Sequence, residues 1–183
     1  MRRVAIVDAG PLVAALDRRE IHHAACVEVL RRPDLDLVIP ALVVAEVAHF
    51  ADARHGPVAE AAFVRGLAGL HVVAPDPDDW MQIADLVARY ADLRLGATDA
   101  SIAVLADRLG ADLVITLDRR HFEAIRTPPG RSLALLPDPA QGRRTNEDLA
   151  AYAYVGSARS TIDRFVKPLD TGYPRPRMAC QAP

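Results

Sequence analysis

The chain is almost without lysine: Lys167 is the only one, so nearly all positive charge is arginine, and the formal net charge is -2. Bulk positive charge is therefore excluded as a way of holding nucleic acid, and any RNA contact must come from a local basic patch. Cysteine is scarce too. Cys26 and Cys180 form neither a CxxC pair nor a disulfide framework, which fits a reducing compartment. Neither G-x-x-x-x-G-K-[ST] nor G-x-G-x-x-G occurs, which argues against nucleotide-dependent enzymes that cradle phosphate in a glycine-rich loop. No long apolar run opens the chain. After Met1-Arg2-Arg3 the first apolar stretch is broken at Asp8, too early for a signal peptide or a membrane span. The expectation is a cytoplasmic protein with no membrane partner.

What is present is enough apolar residue for one good core. At 183 residues and 51% hydrophobic, the chain can close one sizeable domain and is short for two. Short apolar runs at Val4–Val7, Leu37–Pro40, His71–Ala74, Leu113–Leu117 and Leu133–Leu136 read as buried strands. Between them lie helical patterns: one opened by Pro11, then His23 to Arg32, Ala41 to Arg54, Val58 to Leu67, a stretch carrying Trp80, Ile83, Leu86 and Val87, and Thr98 to Gly110. Alternating strands and helices imply an α/β fold with a mostly parallel sheet covered on both faces, because parallel neighbours need crossover connections. The apolar periodicity fades after Pro137, so the domain is expected over 1–137. Residues 138–183 read as a poorly structured or loosely helical tail, with possible helices at Asn146–Ala153 and Ser157–Val166.

The chemistry-bearing residues are acids. In parallel sheets, ligands bind in the crevice at the carboxyl ends of the strands, and Asp8 and Asp118 directly follow two of the strand candidates. Asp99 stands at the start of a helix, and Glu46 lies about a turn and a half into the helix after Pro40. Each has an ordinary structural role open to it. Asp8 and Asp118 can cap helices, Asp99 can complement a helix dipole, and Glu46 can be a solvated helix residue, although its neighbours Val43, Val44, Ala45 and Val47 are apolar. Together, however, four carboxylates around one crevice would repel each other unless a cation neutralised them. Hard oxygen donors suit Mg²⁺ or Mn²⁺, which can activate water against a phosphodiester. Arg119 and Arg120 follow Asp118 and can supply local positive charge to RNA phosphates, or merely begin a solvated helix. His22 and His23 do not share a helix face and read as a surface pair before a helix, and Asp17 as a residue bordering the crevice. Trp80, Phe63 and Tyr90 read as core or dimer residues rather than base-stacking platforms.

The segments Val7-Asp8-Ala9-Gly10-Pro11-Leu12, Pro40 to Val47, Leu95-Gly96-Ala97-Thr98-Asp99-Ala100 and Thr116 to Phe122 resemble, in order and spacing, the motifs of PIN-domain ribonucleases, above all VapC-type toxins of bacterial toxin–antitoxin pairs. The resemblance covers roughly residues 1–137 and implies a three-layer α/β/α fold and a magnesium-dependent endoribonuclease. Asp8, Glu46 and Asp99 would then be the principal metal-binding acids. Asp118 would be a fourth acid serving a second site or positioning water, and Thr116 a hydroxyl supporting them. It also implies an RNA substrate, a cognate antitoxin protein and a homodimer. Other acid-rich folds fit less well: a receiver domain lacks its lysine after a late strand, and a haloacid-dehalogenase-like phosphatase would need an acid where Gly10 stands. A non-catalytic PIN module that binds RNA or a partner is the alternative, against which the four retained acids speak.

Overall fold

The computed structural model describes residues 2–138 of the chain. Five strands, β1 (Arg3–Val7), β2 (Leu35–Pro40), β3 (His71–Val73), β4 (Leu113–Ile115) and β5 (Ala134–Leu136), form one sheet in the order β3-β2-β1-β4-β5. All four pairings are parallel. Among the described residues seven α-helices connect them: α1 (Ala9–Leu16), α2 (His23–Leu30), α3 (Ala41–His55), α4 (Pro57–Gly66), α5 (Asp79–Arg89), α6 (Ala97–Arg108) and α7 (Arg119–Ala124). The chain winds from β1 outward to β3, then returns to the other side of β1 for β4 and β5. Right-handed crossovers in the two directions put their helices on opposite faces of the sheet, so the expected α/β/α layering is present.

Strand β1 is the middle strand, and Ala5, Ile6 and Val7 are fully buried. Parallel strands covered on both faces carry continuous apolar runs, as Leu113-Val114-Ile115 also does. Helix α6 packs against β1, β2 and β4, and its residues from Ala100 to Ala106 are all buried. A helix enclosed on all sides loses its amphipathic stripe, and alanines at 100, 103 and 106 let it lie close to the sheet. Its end is set by Gly110, whose φ of 64° fits a left-handed position that a side chain would disfavour. Ala111 N–H then donates to the Ala106 carbonyl and Gly110 N–H to that of Asp107, a Schellman closure. Elsewhere Pro57 starts α4 at its first position, where the missing N–H costs nothing.

Several sequence expectations shift. Strand β4 stops at Ile115 rather than Leu117, because the Thr116 hydroxyl accepts from Asp118 N–H at 2.9 Å and curls the chain away from the ladder. His23 is not a surface residue: it is buried in the first turn of α2, and its Nδ1 lies 2.9 Å from the Ala14 carbonyl, to which it donates. Phe63 is fully buried as expected, whereas Trp80 is 49% exposed and takes no part in the core. The helices expected near Asn146–Ala153 and Ser157–Val166 lie outside the described residues.

Candidate functional site

The order β3-β2-β1-β4-β5 reverses direction between β1 and β4, and in open parallel sheets that switch point opens a crevice beyond the carboxyl ends of the strands. A cleft of about 670 Å³ lies there, lined by Asp8, Ala9, Gly10, Glu46, Arg94, Gly96, Thr98, Asp99, Leu117 and Asp118. The four acids read from the sequence thus reach one cavity from four elements: the β1–α1 junction, the second turn of α3, the first turn of α6 and the cap of α7.

Strand register fixes the deepest of them. Val7 is paired with Ile115, and Asp8 N–H donates to the Ile115 carbonyl at 2.9 Å, which sets Asp8 beside Thr116 at the ends of neighbouring strands. The buried Thr116 hydroxyl donates to Asp8 Oδ2 at 2.7 Å, while Asp8 Oδ1 accepts from Ala9 N–H at 2.6 Å and caps α1. Asp8 therefore fills both roles open to it, helix cap and cleft acid. Burial pushes its carboxyl up from 3.8 to about 6, with Asp99 and Glu46 adding repulsion and the Thr116 and Ala9 bonds opposing the rise. The carboxyls of Glu46 and Asp99 are also raised, each chiefly by desolvation; Asp99 adds to the shift at Glu46, and Asp118 to that at Asp99. Asp118 is exposed and caps α7 by accepting from His121 N–H at 3.1 Å.

A group of raised, mutually repelling carboxylates beside water binds positive charge readily, because a cation restores the ionised form that burial disfavours. The donors are hard oxygens, the type preferred by small divalent ions over thiolate- or imidazole-seeking metals. Among the described residues no three acid, histidine or cysteine side chains already stand as a ready-made ligand cage. An ion such as Mg²⁺ keeps several waters and is commonly held through only one or two carboxylates, so the cleft fits a hydrated divalent cation without such a cage.

A PIN-domain family model matches residues 5–127. The chain belongs to the PIN-domain family. It is 37% identical over 134 residues to Ribonuclease VapC26 of Mycobacterium tuberculosis, a match spanning 72% of this chain and 99% of that protein. Its fold is similar to the crystal structure of VapC20 of Mycobacterium tuberculosis, a sarcin-ricin-loop-cleaving toxin, with a TM-score of 0.54 and 18% identity over 60% of this chain and 86% of that one. It is also similar to VapBC2 of Rickettsia felis bound to a DNA fragment of its promoter, with a TM-score of 0.55 and 16% identity over 73% of this chain and 99% of that one. At those identities the two structures speak for the fold alone.

Two residues were not singled out from the sequence, one that bonds to two acids of this PIN-domain cleft and one that lines it. His121 Nδ1 lies 3.1 Å from both Asp99 Oδ2 and Asp118 Oδ2, and its Nε2 lies 3.1 Å from the Leu93 carbonyl. One imidazole thus links α6, α7 and the short 3-10 turn Ala91–Leu93. Its position three residues after Asp118, within the first turn of α7, was the available signal. Arg94 is the second, the only basic residue among the described residues that line the cleft. It is also the only described non-glycine residue with positive φ, 56°. A left-handed conformation at such a residue costs about 1–2 kcal/mol and persists only where neighbouring structure imposes it. Arg119 and Arg120 do not line the cleft: Arg119 pairs with Glu123 along α7, and Arg120 is exposed. Asp17 is absent from it too, because it ends α1 eight residues, roughly 12 Å, from the end that Asp8 caps; there it accepts from Arg19.

Proposed function

We propose that this PIN domain is a Mg²⁺-dependent endoribonuclease, with Mn²⁺ as a substitute, and the toxin of a type II toxin–antitoxin pair. One observation carries the reading: four acids distant in sequence line a single cleft at the switch point of the sheet, and three have their carboxyls raised by burial and mutual repulsion. The identity with Ribonuclease VapC26 over nearly that protein's whole length supports RNA as substrate. The same likeness to VapC-type toxins supports a cognate antitoxin, a homodimer, work in the cytoplasm, and a nuclease domain over 1–137 with 138–183 as an appendage. No described helix is long and apolar enough to cross a membrane.

In this reading Asp8, Glu46 and Asp99 would hold the cation, directly or through its waters, with the exposed Asp118 beside them on the cleft wall. The chemistry such an ion would supply is acidification of a water for attack and a counter-charge for the phosphodiester. The protein's own contribution is orientation. Thr116 and the Ala9 amide fix both oxygens of Asp8, the Thr116 oxygen holds the chain entering Asp118, and His121 ties Asp99 to Asp118. The exposed carboxylate of Asp118 can orient a water and accept its proton.

The test is incubation of the purified protein with total RNA in Mg²⁺ or in EDTA, beside Asp8→Asn and Asp99→Asn. Cleavage by wild type only, and only with metal, is the expected result; cleavage in EDTA, or equal cleavage by the variants, would overturn the mechanism.

A further inference from the structure

We propose that Arg94 grips a phosphate of the bound RNA strand and so positions the substrate, an inference that rests on the ribonuclease reading above. The cleft poses an electrostatic problem: a polyanion must enter a cavity lined by Asp8, Glu46, Asp99 and Asp118, in a chain of net charge -2. Among the described residues Arg94 is the only basic one on its wall. Its side chain has no ion pair or hydrogen bond with any described residue, although four carboxylates line the same cleft. An exposed guanidinium left without an acid in such surroundings keeps its donors for an incoming anion, and its planar fork suits phosphate oxygens.

The backbone points the same way. Arg94 occupies a left-handed conformation that glycine would adopt without strain, and strain of this kind gathers at binding sites. The turn presenting it is held firmly. Leu93 N–H donates to the Tyr90 carbonyl at 3.0 Å and Arg94 N–H to that of Ala91 at 2.9 Å; Leu95 is buried behind it. The Leu93 carbonyl also meets His121 Nε2, so the imidazole that links Asp99 and Asp118 braces the turn as well. The arginine is thereby kept in register with the acids.

The experiment measures binding of a fluorescein-labelled 20-nucleotide single-stranded RNA of mixed sequence, in EDTA, across a salt series, for wild type, Arg94→Gln, Arg94→Lys and Arg94→Gly. Loss of one phosphate contact should weaken binding about tenfold and flatten the slope of log affinity against log salt by about 0.7 in the Gln and Gly variants, with Lys retaining the slope. Arg94→Gly should melt no lower than wild type, which separates lost binding from lost folding. Wild-type affinity and slope in Arg94→Gln would overturn the inference, including the case in which that variant instead loses affinity for the antitoxin. A Lys variant with a slope as flat as that of Gln would also overturn it. Metal-dependent cleavage alongside Arg94-independent binding would sink the contact and leave the ribonuclease reading standing; Arg94-dependent binding without any cleavage would do the reverse.

Discussion

Replacing Asp8 by asparagine should stabilise the metal-free protein at neutral pH while abolishing cleavage. The Asp8 carboxyl is raised from 3.8 to about 6, so between those values the folded state holds a proton that the unfolded state has released. Unfolding stability therefore falls as pH rises through this window, and above it the folded protein carries the full cost of a buried carboxylate. A shift of about two units corresponds to about 3 kcal/mol. Asparagine has no proton to lose and escapes that cost. Its amide oxygen can keep the cap to Ala9 N–H, and the Thr116 hydroxyl can turn to accept from the amide nitrogen. In EDTA at pH 7.5 the variant should melt roughly 6–12 °C above wild type, at 2–4 °C per kcal/mol for a protein of this size. The gap should shrink toward pH 4, where wild-type Asp8 is protonated when folded. Mg²⁺ should narrow it from the other side by stabilising wild type alone, by about 2.7 kcal/mol at a hundred times its Kd. Thermal unfolding across pH, with and without metal, measures all three. A variant that melts at or below wild type in EDTA at pH 7.5, or a gap of equal size at both pH values, would refute the reasoning.

Thr116→Val keeps the side-chain shape but leaves Asp8 Oδ2 and Asp118 N–H without their shared partner. It should cost about 1–3 kcal/mol in urea unfolding at pH 7.5 and less near pH 4, since the lost bond also holds the Asp8 carboxyl down; equal stability would count against the relay. The Cys26 thiol is fully buried and pushed up to about 12, so iodoacetamide at pH 8 should label it only after unfolding. Peptide mapping by mass spectrometry reads this directly, and fast labelling of the native protein would contradict the burial.

The strands and the four acids were legible because each left a local trace. A buried parallel strand is a short apolar run, and an acid directly after one marks a strand's carboxyl end; Glu46 was betrayed by the apolar residues around it. Sequence also suggested Thr116, whose role depends on standing one step beyond the Val7–Ile115 pair. What escaped depends on neighbours that a one-dimensional pattern does not contain. Nothing near Arg94 shows that residues 90–95 fold into a strained turn, and nothing near His23 shows a carbonyl waiting nine residues upstream. His121 meets Asp99 across 22 positions of chain and Leu93 across 28. The strand order was equally hidden, since apolar runs announce burial but not which run pairs with which.

The central place of β1 imposes a timetable on synthesis. It leaves the ribosome before β4, and one of its two flanks stays bare until residues 113–115 have followed, more than a hundred positions later. Until then Asp8 has no Thr116 to steady it, and Asp118 has not been made. A translation product that breaks off before this point, whatever helices it has formed, is a chain without a complete cleft.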